Sequence, residues 1–346
     1  MGSGLTPRGG NSVYTEKGHC FVRSQNVGMG VLLLDEIAHI DDKTHQKQIA
    51  TEILENDVLL NITGASIGRT AVATNVIAGG NVNQHVCIIR TNDLLNQNYL
   101  CNYIQTKKIQ NYIYSLQTGG SREGLNFEQV RSFPICYPSK VEQIKISHLI
   151  SLLDRRIEVQ IGLINKLESL IGGIIERLTA QYPNVRIADC LECHSSTLQE
   201  NQLNETGGYR VYGANGICGY TDSPGINGDA ILIVKDGSGV GNVSYAIGEY
   251  SVIGTSNYLT AKNGYSLRYL YYILKKFNFA PYKTGMAIPH IYFKDYGRAM
   301  VYCPSFEEQE RIAKKLSKIE RKIEIERSIK DCCIAQKQYL LQQMFI

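Results

Sequence analysis

The chain carries one design twice, and the spacing between the copies constrains what it can fold into. Tyr137-Pro138-Ser139 followed by Glu142-Gln143 recurs 166 residues later as Cys303-Pro304-Ser305 followed by Glu308-Gln309. The same offset carries Ile146 to Ile312, Arg155 to Arg321, Ile157 to Ile323 and Glu158 to Glu324. It also aligns Tyr99 with Tyr265, Tyr103 with Tyr269, Gly119 with Gly285 and Phe127 with Phe293. Farther upstream an offset of 172 aligns Asp57 with Asp229, His85 with Asn257 and Arg90 with Lys262. Solenoid units run about 20 to 50 residues, so a repeat this long is a domain duplication. Two similar modules, each ending in a charged amphipathic helix, suit the reading of two similar targets at a fixed separation.

The segments between the repeat marks read as α/β or α+β modules. Asp57 to Ile62 predicts a strand entering the turn Thr63-Gly64-Ala65-Ser66-Ile67-Gly68, and His85 to Arg90 predicts the next strand. A helix is expected over 98–115. The second copy repeats the order: a strand from Asp229, the turn Asp236-Gly237-Ser238-Gly239-Val240-Gly241, a strand at Asn257, then a helix over 267–278. The expected boundaries are a first module at 1–138, a helix at 139–182, a second module at 183–304 and a second helix at 305–346. The Gly-rich start, Met1 to Pro7, reads as the middle of a module, so the first copy is expected to lack a short leading segment.

The helices are the more regular part. Ile150, Leu153, Ile157, Gln160, Ile164, Leu167, Ile171, Ile174 and Leu178 follow alternating steps of three and four, a coiled-coil seam with one polar position. Ser139 with Glu142 forms a capping box. Ser305 with Glu308 repeats it, and Leu316, Ile319 and Ile323 repeat the seam, with Glu326 standing where Gln160 stood. Beyond Glu326 the second seam is expected to degrade, because Lys330 replaces Ile164. A helix near 40 residues outgrows its own module and needs a partner, so the two helices are expected to pair antiparallel. The outcome would be two modules joined by a long coiled coil with a rough two-fold relation.

Composition narrows function less. The net charge is +4, and it is thinly spread: residues 1–140 hold 12 basic against 11 acidic groups, residues 183–304 hold 10 against 9. This permits nucleic-acid binding without arguing for it. No apolar run reaches the roughly 18 to 20 residues of a membrane span, and no signal peptide opens the chain. Buried reduced thiols and a cytoplasmic protein are expected. Cys190-Leu191-Glu192-Cys193-His194 fits a haem-attachment string, but neither export nor an axial ligand is signalled, and a zinc site would need a second ligand pair. No phosphate loop, nucleophile elbow, nuclease carboxylate cluster or amino-methyltransferase string is present, so a non-enzyme is expected. On the residues alone, a DNA-recognition scaffold and a coiled-coil protein carrying two modules for a non-nucleic ligand such as a glycan both stand. A fused methyltransferase or nuclease with drifted motifs is a third reading.

Asp57 to Arg69, Asn81 to Arg90, and Tyr137 through Glu158, together with Gly4-Leu5-Thr6-Pro7 and Gly18 to Val27, closely resemble the specificity (S) subunit of type I restriction–modification systems. The resemblance covers essentially all 346 residues. It implies two target-recognition domains alternating with two helical regions, each domain reading half of a bipartite double-stranded DNA site while the helices fix the gap. It also implies a non-catalytic subunit with no cofactor of its own. Its partners would be methyltransferase subunits using S-adenosylmethionine and restriction subunits using ATP and Mg.

Base edges in the major groove are read by Arg, Lys, Asn, Gln, Ser or Thr. The candidate DNA-binding residues are Thr63, Ser66, Arg69, Asn83, Gln84 and Arg122 in the first copy. In the second they are Lys235, Ser238, Asn242, Ser256, Lys283 and His290. The alternative is that the glycines only permit tight turns and their polar neighbours satisfy loop backbone. The copies differ most over 1–56 and 183–228, where different half-sites could be encoded.

Overall fold

The computed structural model describes residues 1–117, 124–285 and 287–345, with the side chains of residues 10 and 11 left out. The chain divides into two compact units, Met1–Ile161 with Ser328–Ile346, and Gly162–Arg327. Each is described by itself.

The first unit contains strands β1 (Gly2–Ser3), β2 (His19–Val22), β3 (Ala38–Ile40), β4 (Val58–Asn61), β5 (Thr70–Val72), β6 (Asn81–Val82) and β7 (Val86–Ile89). Its helices are α1 (Asp42–Gln46), α2 (Gln97–Ile104), α3 (Lys107–Ser115), α4 (Phe127–Arg131) and the first half of α5 (Lys140–Thr179). An antiparallel sheet runs β1-β7-β4-β5, and a smaller sheet runs β3-β2-β6 with β2 and β6 parallel. Central strand β4 is buried along its length, so its alternating side chains serve two cores. Val58 and Leu60 join Cys87, Tyr99 and Ile109 under the helices, whereas Leu59 joins Val22, Val82 and Ile88 under the smaller sheet.

The second unit repeats the plan with β8 (Val185–Arg186), β9 (Leu191–Ser195), β10 (Tyr209–Gly213), β11 (Gly216–Thr221), β12 (Ile226–Asn227), β13 (Ala230–Val234), β14 (Val243–Ala246), β15 (Glu249–Val252), β16 (Ser256–Ala261) and β17 (Met300–Val301). Its helices are α6 (Ile187–Cys190), α7 (Leu267–Lys275), α8 (Phe293–Tyr296) and the first half of α9 (Phe306–Met344). The main sheet is β14-β13-β16-β9 and the second β11-β10-β15-β12, with β10 and β15 parallel. Ile231 and Ile233 face the helices; Leu232 faces Tyr250 and Val252.

The register corrects the alignment read from sequence. Leu60 lies opposite Cys87, and Ile233 lies opposite Asn257. Gly68 N–H donates to Asn61 O, as Gly241 N–H does to Val234 O. The central strands β4 and β13 therefore correspond at an offset of 173, as do β5 and β14, while β7 and β16 correspond at 170, and 172 matches neither. Asn257 is the counterpart of Cys87, not of His85, and Thr63 corresponds to Asp236. The offset of 170 persists into the helices: Asn96 caps α2 through Tyr99 N–H, and Ser266 caps α7 through Tyr269 N–H. Tyr99 thus matches Tyr269, one helical turn from the sequence match of Tyr99 to Tyr265. The step down to 166 falls after these helices, where α3 stands in the first unit and a short Ala280–Tyr282 turn in the second. Phe127 and Phe293 open α4 and α8 and do correspond at 166. Gly119 lies outside the described residues.

Two smaller differences have local causes. The helix expected over 98–115 is two helices, because Thr106 caps a new start by accepting from Ile109 N–H. β1 aligns with His194–Ser195, so β8, α6 and the first residues of β9 have no counterpart among the described residues of the first unit.

The long helices have 40 and 39 residues, each roughly 60 Å at 1.5 Å per residue. α5 begins in the first unit and ends in the second; α9 does the reverse. Each unit therefore holds the start of one helix and the end of the other. Ile150, Leu153, Ile164 and Ile171 are buried, and Ile157, Gln160, Leu167, Ile174 and Leu178 are half-buried. Leu316 and Ile323 are buried and Ile319 is half-buried.

The second seam does not fade after Glu326. The helix continues unbroken to Met344, with Cys333 and Leu341 buried. Its polar seam positions are paired instead. Glu326 takes Lys322, and Lys337, 14% exposed, reaches Asp154 at 2.6 Å.

The repeated Glu-Gln pair has two jobs. Ser139 and Ser305 accept from the N–H groups of Glu142 and Glu308, capping the helices. Gln143 and Gln309 are buried and accept from the N–H of Asn96 and of Ser266, the caps of α2 and α7. Each fastens its module to a long helix.

Candidate nucleic-acid interface

In both units the central strand leaves the sheet through a turn that needs glycine twice. Gly64 and Gly68 have φ of 70° and 85°, Gly237 and Gly241 have 92° and 89°, all in the left-handed region. These turns carry polar side chains beyond the sheet edge.

In the first unit Ser24, Gln25, Thr63, Ser66, Arg69 and His85 line a cleft of about 450 Å³. Thr63 Oγ1 and His85 Nδ1 are hydrogen-bonded. Gln84, which is exposed, meets His85 Nε2 at 3.1 Å and accepts from Thr6 N–H at 3.0 Å. Arg69 is exposed and is the cation of the cleft. Asn83 is placed differently: it is buried, and its side-chain oxygen accepts from His85 N–H. Arg122 lies outside the described residues.

In the second unit the turn is tied to a distant loop. Asp236 accepts from His290 Nδ1 at 2.7 Å, Ile291 N–H donates to Lys235 O, and Gly237 N–H donates to Pro289 O. Thr284 and His290 pair through their backbones, which brings Lys283 beside the same turn. Lys235, Ser238, Lys283 and His290 therefore share one end of the module, with Ser238 and Lys283 exposed. Asn242 instead lines a separate cleft of about 470 Å³ with Tyr212, Ser244, Tyr245 and Lys275. Ser256 is buried, and its hydroxyl has no partner among the described residues.

Sequence reasoning did not single out Asp236, although the turn was in view. Its partner lies 54 residues away, beyond any local pattern. His85 was noticed only through a false register with Asn257.

The cysteine string is structural. Cys190 is buried beneath β9 and donates to Arg186 O. Burial pushes the Cys193 thiol up to about 11, the reverse of what a reactive thiol requires. His194 is held by Thr260 and stacks on Tyr258. Among the described residues no group of three or more His, Cys, Asp or Glu is placed to hold a metal ion, and no helix is long and apolar enough to cross a membrane.

A family model described as the type I restriction modification DNA specificity domain matches the chain twice, over residues 22–169 and 181–332. The crystal structure of a type I restriction-modification system S subunit from M. genitalium is similar over 100% of this chain and 93% of that one, at 18% identity and a TM-score of 0.70. A chain from a structural study of complex assembly and conformational transition in the type I R-M system is similar over 93% and 90%, at 17% identity and a TM-score of 0.53. At such identities these two likenesses bear on the fold.

Proposed function

The chain belongs to the type I restriction–modification DNA specificity family, and on that premise we propose how its parts divide the work. It is the DNA-recognition subunit, itself non-catalytic, which reads a bipartite double-stranded site and assembles with methyltransferase and restriction subunits. The observation that carries this reading is that the family's domain occurs twice, each time with a polar turn at the same edge of the same four-stranded sheet.

In this reading residues 1–138 and 183–304 are the two target-recognition domains. Residues 139–182 and 305–346 are the paired spacer helices that set the gap. Half-sites about one turn of DNA apart, roughly 34–36 Å, are the natural geometry for two linked readers. The candidate base-reading groups are Thr63, Ser66, Arg69 and Gln84 in one module and Lys235, Asp236, Ser238, Lys283 and His290 in the other. With modules near neutrality, partner subunits supply much of the phosphate contact. S-adenosylmethionine, ATP and Mg serve those partners, and the complex works on DNA in the cytoplasm.

Co-expression with the methyltransferase subunit, followed by mapping of methyladenine across host DNA, tests the reading. One bipartite motif with a fixed gap is the expected result. A stable complex that leaves no sequence-specific methylation would contradict it and favour a non-nucleic ligand.

A further inference from the structure

Thr63 and Asp236 occupy the same structural position, two residues past the strand end, and each holds a histidine through Nδ1. The histidines come from different elements: His85 precedes β7, whereas His290 sits in the loop before α8. The shared contact therefore is not a relic of one ancestral histidine. What differs is the hydrogen-bonding character left facing outward.

In the first module the protons can be placed from the network. Thr6 N–H only donates, so Gln84 Oε1 is the atom that meets it. That leaves the Gln84 amide nitrogen, which also only donates, against His85 Nε2. His85 Nε2 must then offer its lone pair, and its proton sits on Nδ1, which donates to Thr63 Oγ1. Thr63 has accepted with one lone pair, and its own O–H remains free to donate into the cleft beside Ser66 and Arg69, which a carboxylate cannot do.

In the second module a carboxylate only accepts, so His290 Nδ1 donates to Asp236 Oδ1 at 2.7 Å. Asp236 Oδ2 has no hydrogen-bond partner among the described residues, and the pair is about one-third exposed, 33% for Asp236 and 35% for His290. That oxygen presents lone pairs alone.

We propose that this position determines specificity in both modules through a difference in hydrogen-bonding character: Thr63 offers a donor, whereas Asp236 can only accept. His85 with Gln84, and His290, are the positioning residues that fix that character. The inference rests on the DNA reading given above. A donor in the major groove seeks purine N7, guanine O6 or thymine O4; an acceptor seeks adenine N6 or cytosine N4. One scaffold position can thus serve two different half-sites without any change in backbone.

The test uses the full chain in complex with its methyltransferase subunit and reads methyladenine across the host genome. Thr63→Val should relax discrimination about ten-fold at one position of one half-site, and Asp236→Asn at one position of the other. Thr63→Ser, which keeps the hydroxyl, should retain the original motif, and His85→Phe should relax the same position as Thr63→Val. An intact motif in Thr63→Val and Asp236→Asn would overturn the proposal, as would relaxation of both variants in the same half-site. If the unaltered complex gives no bipartite motif, the underlying function is what fails, and the variants are not needed to see it.

Discussion

The two modules agree where they meet the helices and disagree where they face outward. At the junction, Gln143 and Gln309 reach equivalent caps, and the hydroxyls of Tyr99 and Tyr269 donate to the equivalent carbonyls of Cys136 and Tyr302 at 3.1 and 2.8 Å. At the outer edge the first module has a neutral threonine where the second has a carboxylate, and its smaller sheet has three strands against four. Duplication has kept the fastening and altered the surface. In the proposed reading, a subunit that takes like partners at both modules, yet reads two different half-sites, needs that division.

Removing residues 328–346 should separate the two modules most. They belong to the first unit alone, where Leu341 and Phe345 lie in the core with Tyr99 and Ile150. Loss of two buried large side chains at about 2–5 kcal/mol each should unfold or strongly destabilise the first module. The second should keep its protection in hydrogen exchange. Equal loss in both modules would contradict the division of the helices.

Next in size is Gln143→Leu against Gln309→Leu. Gln143 makes three hydrogen bonds, to Asn96 N–H, Leu94 O and Pro138 O; Gln309 makes two, to Ser266 N–H and Pro304 O. Stranding buried backbone groups costs about 1–3 kcal/mol each, so both variants should melt earlier and the first by more. Thermal unfolding followed by calorimetry decides the order.

The turns come after. Gly68→Ala and Gly241→Ala force an L residue to φ near 85–89°, at about 1–2 kcal/mol. The new methyl of Gly68→Ala comes within 2.7 Å of the Gln110 amide, which is held by hydrogen bonds to Gly68 O and Ile104 O, whereas that of Gly241→Ala lies 3.1 Å from Phe279. The first variant should be the costlier in denaturant titration. The smallest effect has the opposite sign. Gly172 lies in α5 with open space around it, so Gly172→Ala should raise stability by about 0.5–1 kcal/mol.

The helices were readable in the sequence almost to the residue, since heptad spacing and a capping box are local signals. The decay expected from Lys330 was misleading, because the helix runs on unbroken with Cys333 buried, and Lys337 farther along is satisfied by Asp154, 183 residues away. The tyrosines misled for another reason. Residues four apart share a helix face, so a match shifted by one turn keeps the pattern, and only the caps Asn96 and Ser266 resolve it. The outer edge was least legible. Its donors and acceptors are set by Thr6 on Gln84 and by His290 on Asp236, contacts that arise only once distant loops meet.

In the proposed reading the two long helices set the gap between the half-sites. Inserting seven residues into the middle of each long helix keeps the seam in phase and lengthens each helix by about 10 Å. At 3.4 Å per base pair, the gap in the mapped methylation motif should grow by about three base pairs with both half-sites unchanged. An unchanged gap, or altered half-sites, would rule out this role for the helices.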